Sequence, residues 1–168
     1  MILKITITGI SLLLIVFICK AQKKSSTYPT EKFSVIEAKL ANGKPVIGSV
    51  NTAYKNYDKK DKYPWCLTIN IALDLKNVQN NGLPIKSESD TASKFVDQLI
   101  NQIKKLTISH YIGHLYNDTF LDVYIYLENP EKVHEYLQSQ INKEGLTRPI
   151  AYKIEKDPNW TGVKALLK

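Results

Sequence analysis

Cysteine is scarce in this chain of 168 residues: Cys19 and Cys66 are the only two, too few for a disulfide scaffold. Seven glycines with no fixed period exclude collagen-like chains and argue against most repeat architectures. Arginine is nearly missing, with Arg148 alone among 23 basic residues. Recognition of phosphates and bases in nucleic acid leans on the guanidinium fork. A lysine surplus without it reads as a solvated basic surface and argues against nucleic acid as a partner. No apolar run reaches the roughly 20 residues of a spanning helix. There is no Gly-x-Ser-x-Gly, no phosphate loop, no His-Glu-x-x-His and no paired cysteine ligand set. Chemistry has few places to sit, and no cofactor or metal is expected.

What is present can fold. Apolar residues make up 43% and charged residues 23%, enough for a packed core and too apolar for wholesale disorder. The length suits one ordinary domain. The net charge of +7 is unevenly spread. Residues 1–22 contribute +2, residues 23–62 contribute +5, and residues 63–168 balance to zero.

The first 18 residues read as an export signal. Lys4 supplies a short positive start, and Ile5 to Ile18 is broken only by Thr6, Thr8, Gly9 and Ser11. Two outcomes compete. Cys19 and Ala21 place small residues for cleavage after position 21, giving a signal peptide over 1–21. Alternatively, 1–18 is a lipoprotein signal and Cys19 is acylated, although Ile18 is larger than a lipobox prefers. Cys19-Lys20-Ala21-Gln22 resembles the start of mature lipoproteins of the Bacteroidetes group. The expectation is an exported protein of the periplasm or outer membrane, with full secretion as the lesser reading, touching membrane only through a lipid on Cys19. Residues 22–30 read as a tether and 31–168 as one domain.

Periodicity then sets the elements. Phe33–Leu40 and Pro45–Tyr54 read as a hairpin around Asn42-Gly43. In Trp65–Leu75, Leu67, Ile69, Ile71, Leu73 and Leu75 share one face. Ser87–Lys105 carries a helical stripe of Ala92, Phe95, Val96, Leu99, Ile100 and Ile103, with Ser87 as its expected cap. Thr107–Tyr116 and Thr119–Leu127 follow as strands. Asn129-Pro130 opens a second helix with Val133, Tyr136, Leu137 and Ile141 on one side, stopped at Gly145. Arg148–Glu155 is a last strand, and Asp157-Pro158-Asn159-Trp160 leads into a short C-terminal helix. This order predicts an α+β fold: a ferredoxin-like split β-α-β sandwich with strand order 4-1-3-2, an added N-terminal β-hairpin and a short C-terminal helix.

Four segments in this order carry a resemblance. Asn81-Gly82-Leu83-Pro84 before the first helix, the turn after a strand ending near Gly113, Asp122-Val123-Tyr124-Ile125-Tyr126, and Asp157-Pro158-Asn159-Trp160 resemble the domain of unknown function 695 family over residues 31–168. The resemblance implies no established activity. Some members look related to the regulator of ribonuclease E activity B family, a small α+β protein inhibitor, which implies a binding role. An exported chain departs from that kinship, because ribonuclease E is cytoplasmic.

Candidate chemistry is thin. His110 and His114 are four apart in a strand, roughly 13 Å at about 3.3 Å per residue, too far for one metal unless Gly113 supplies a bulge. Cys66 reads first as a small buried hydrophobe. A Cys66–His110 nucleophile pair on adjacent strands, or a His110/His114 site, is the alternative of a small hydrolase-like enzyme. His134 beside Glu131 and Glu135 reads as a solvated face. The favoured surface is aromatic. Phe120, Asp122, Tyr124 and Tyr126 share the strand face opposite the helices, with Thr68 and Asn70 beside them. Tyr54, Tyr57, Tyr63 and Trp65 read as a rim around the lysine loop. The expected function is therefore a non-enzymatic binding module of the envelope, for a protein or small-molecule partner. The competing reading is that the hairpin or the Trp160 segment covers those aromatics as a second core.

Overall fold

The computed structural model describes residues 27–141 and 148–168. The expected leader, Cys19 and Gly145 lie outside the described residues. Six strands form one antiparallel sheet: β1 (Phe33–Lys39), β2 (Pro45–Asn51), β3 (Trp65–Ala72), β4 (Ser109–Asn117), β5 (Phe120–Leu127) and β6 (Ile150–Lys156). Their spatial order is β1-β2-β4-β5-β3-β6. Helix α1 (Lys86–Leu106) connects β3 to β4, and α2 (Glu131–Ile141) lies between β5 and β6. The architecture is α+β.

Both helices cover the same sheet face. Ala92, Val96, Leu99 and Ile103 of α1 and Val133 and Leu137 of α2 join Leu67, Ile69, Ile71, Val123 and Ile125 in one buried cluster. Each valine, leucine or isoleucine among them contributes roughly 1.5–3 kcal/mol by leaving water. Phe95 packs against the cluster half-buried. Glu88, on the first turn of α1, is buried with them and accepts from the Asp74 backbone N–H at 2.9 Å.

Two turns depart from expectation. Ser87 does not cap α1. The chain stays extended through Ile85, pinned by its N–H to the Asn77 carbonyl at 2.9 Å, so the helix starts one residue earlier at Lys86. The C-terminal helix is only a single 3-10 turn, Thr161–Val163. Trp160 ahead of it adopts left-handed φ 55° and ψ 39°, where a helix cannot propagate. By contrast Asn129 caps α2 as expected, its side-chain oxygen accepting from the Glu131 N–H at 3.1 Å.

The β4–β5 hairpin turns on Asp118 and Thr119, both at positive φ, 35° and 77°. This is the twist a two-residue hairpin demands, but a β-branched residue adopts it at a cost. Neighbours hold it there. Thr119 donates to the Gly82 carbonyl at 2.9 Å and accepts from the Leu73 N–H at 3.0 Å, and Lys44 pairs with the Asp118 carboxylate.

Candidate functional site

The face away from the helices is divided in two. At the end near β6's last residues it carries a second core: Val50, Tyr54, Tyr63, Ile112, Tyr126, Trp160, Val163 and Leu167. Trp160 is its centre. Its ring stacks on Tyr126 with centroids 4.1 Å apart and planes 15° from parallel. Its indole N–H reaches the carbonyls of Lys60 and Tyr63 at 3.1 and 3.0 Å. The Tyr126 hydroxyl donates to Asp157 at 2.6 Å. Burial first, and this carboxylate second, push the Tyr126 phenol far above its ordinary pKa. Burial alone would raise the Asp157 carboxyl. Hydrogen bonds from Tyr126, Gly162 and Thr161 outweigh it and hold that carboxyl below its usual range.

The expected place of Tyr126 on an open face is therefore corrected. Strand alternation puts it on that side of the sheet, but Trp160 covers it completely. The expected rim is corrected as well. Tyr54 and Tyr63 are buried in the second core, Tyr57 packs against it, and Trp65 packs on the helix side.

Beyond the second core the face opens, with Tyr124 packing partly against that core's edge. Phe120 is exposed, and Asp122 and Tyr124 are half-buried, as are Thr68 and Asn70 on the neighbouring strand. Register places Thr68 opposite Tyr124 and Asn70 opposite Asp122. Asn117, which sequence reasoning missed, completes the group. Asn70 and Asn117 each donate a side-chain N–H to one Asp122 oxygen, both at 2.7 Å. Two amides thus fix one carboxylate between two aromatic rings. Where this strip meets the C-terminal segment, a cleft of about 300 Å³ opens between Thr68, Tyr124, Glu155 and Lys156.

The residues proposed for catalysis do not meet. Cys66 and His110 both register with Tyr126, from opposite sides, so strand β5 stands between them. Two strand spacings of about 4.8 Å separate them, beyond hydrogen-bond reach. Burial pushes the Cys66 thiol up, away from the thiolate a nucleophile needs. The bulge at Ile112–Gly113 exists, but it separates the histidines. His110 registers with Tyr126 on the second-core face, whereas His114 registers with Val123 on the helix face and contacts the Tyr111 hydroxyl at 2.6 Å. Gly113 itself is required: a Cβ there would lie 2.3 Å from the Ser49 carbonyl oxygen. His134 is exposed and bonds Tyr152. Among the described residues no group of three His, Cys, Asp or Glu converges on a metal position.

His110 is instead a wholly buried hub. Its Nδ1 meets the Tyr54 hydroxyl at 3.0 Å, and the rings of Tyr28, Tyr57, Tyr63 and Trp160 surround it at centroid distances of 5.1, 5.3, 4.0 and 6.0 Å. Burial lowers its pKa to about 4, so the imidazole is neutral. The sequence signal was the cluster of tyrosines in 54–63, whose convergence on one histidine depends on strand order.

Residues 36–166 match the model of a family of unknown function (DUF695). No curated protein and no solved structure matches the chain.

Proposed function

This chain belongs to the DUF695 family of unknown function, and we propose that it is a non-enzymatic binding module of the cell envelope. The single observation that carries the reading is the strip of exposed Phe120 and half-buried Asp122 and Tyr124 with its fixed amides Asn70 and Asn117. Ordered polar groups between aromatic rings form a recognition surface with little left to immobilise on binding. The envelope assignment is supported by the apolar stretch Ile5–Ile18 and by Cys19, read from sequence. We read the fold as a ferredoxin-like split β-α-β sandwich with the N-terminal hairpin added at the β4 edge. The adjacency β6-β3-β5-β4 and the helix in each of the two crossovers support that reading.

The test is partner capture from envelope extract by the purified protein, with and without Phe120→Ala and Tyr124→Ala. Loss of an anchor at a binding hot spot costs about 2 kcal/mol or more, near thirtyfold in affinity. The double variant should stay folded and lose capture. Retained capture by a folded double variant moves the site elsewhere.

A further inference from the structure

We infer that the groove between residues 55–60 and the C-terminal turn binds a phosphate-bearing anion. The groove encloses about 390 Å³ and is separate from the strip on the sheet. Lys55 and Lys60 form one wall, Thr161 and Lys164 the other, and Trp160 and Leu167 the floor; no Asp or Glu side chain lines it. The sequence spreads its positive excess over residues 23–62, and the fold brings Lys164 from a distant, charge-balanced region to join it.

Among the described residues none of Lys55, Lys60 and Lys164 takes part in an ion pair. The acids of these segments are otherwise placed. Asp157 is engaged by Tyr126, Thr161 and Gly162, and Asp58 and Asp61 are exposed residues outside the lining. Like charges gathered in a concave site repel until an anion arrives, and low-dielectric walls focus their field on it. The floor is rigid, because Trp160 is held by two carbonyls and by stacking. Lys60 is held as well: its ammonium donates to the Lys55 carbonyl at 3.1 Å and lies 6.0 Å from the Trp160 ring centroid.

Phosphate fits this arrangement better than carboxylate. Lysine is a point charge without the planar fork that matches a carboxylate edge-on. A phosphate monoester brings about −1.5 to −2 charge in one compact group near neutral pH, enough to satisfy two or three ammoniums. An extended nucleic-acid strand fits less well, since the lysines of a single groove offer no continuous track for its backbone phosphates. The apolar floor and the Thr161 hydroxyl leave room for an organic part, so the phosphate comes from a lipid headgroup or from a soluble metabolite.

Titration of the full chain by nuclear magnetic resonance distinguishes these sources, with inorganic pyrophosphate and with glycerol phosphate, a headgroup without its acyl chains. Saturable shifts of the Trp160 indole and the Thr161 and Lys164 amides are expected. Tighter binding of pyrophosphate points to a soluble source, and equal or tighter binding of glycerol phosphate to a headgroup. Lys55→Gln with Lys164→Gln, both exposed and away from the Trp160 anchor, should weaken binding at least about tenfold and leave the melting temperature unchanged. Lys94→Gln with Lys105→Gln on α1 should leave it within about twofold. No saturable binding of either probe, or equal losses in the two double variants, overturns the proposal.

Discussion

Arg148 donates to the buried carboxylate of Glu88, and this contact ties the first turn of α1 to the start of β6. The only arginine of the chain is thus spent on architecture. The pair is nearly closed to water, with Glu88 1% and Arg148 12% exposed. Arg148→Ala leaves a buried charge without its partner, and the expected loss is about 3–5 kcal/mol in urea unfolding. Glu88→Gln combined with Arg148→Met should recover part of that loss, because the neutral amide still accepts from the Asp74 N–H and no buried charge is left unpaired.

Thr119 is strained by its φ of 77°. Thr119→Gly installs the Asp-Gly pair that this hairpin turn favours. Relief of the left-handed penalty, about 1–2 kcal/mol, exceeds the entropy cost of glycine, about 0.5–1 kcal/mol. A net gain of a few tenths to 1 kcal/mol is expected, read as a raised melting temperature. A lowered one would show that the clamps at Gly82 and Leu73 relieve the strain already.

Tyr126→Phe removes one charge-assisted hydrogen bond from Asp157, at an expected cost of about 1.5–3 kcal/mol at neutral pH. The Asp157 carboxyl is depressed in the folded state. Its contribution is therefore complete above the unfolded value, near 4, and fades as pH falls through the depressed folded value. The gap between wild type and variant should narrow on acidification below about pH 4.

His110 has the opposite chemistry and a different window. Its folded pKa, about 4, lies below the ordinary value of 6.5. Between those two values the unfolded chain binds more protons, so stability falls as pH drops from about 6.5 towards 4. The limiting slope from this one group is about 1.4 kcal/mol per pH unit. His110→Gln keeps a polar partner for Tyr54 and does not titrate. Its stability should be flatter across that interval, measured by denaturant unfolding at several pH values. An unchanged pH slope would assign the effect to other groups, among them His114, which burial also lowers.

Much of the fold was legible because its signals are local. Leu67, Ile69 and Ile71 alternate with polar neighbours, and the stripe from Ala92 to Ile103 repeats at helical spacing; both are buried as the periodicities require. The candidate site was half legible. Alternation placed Phe120, Asp122, Tyr124 and Tyr126 on the correct side of the sheet. Nothing local says that Trp160, thirty-four positions later in sequence, lies over Tyr126 and not over Tyr124. The histidines failed for a related reason. One extra residue at Ile112–Gly113 reverses the facing of everything after it, and a bulge leaves no mark in hydropathy. Asn117 escapes the sequence reading because the expected strand ends at Tyr116, which leaves Asn117 outside the face it shares with Asp122.

The Trp160 indole bonds Lys60 and Tyr63 across separations of 100 and 97 residues. Contacts of that span form late, because a long loop must close before they return any free energy. A chain emerging from its amino end can pair β1 with β2 and lay α1 on the sheet while the last segment is still absent. Until that segment arrives, Tyr126 lacks its stacking partner, His110 has only its tyrosine neighbours, and the lysine groove has only one wall. Anion binding, on this order of events, belongs to the finished molecule alone, and a ligand in the groove would slow the release of the segment that completes it.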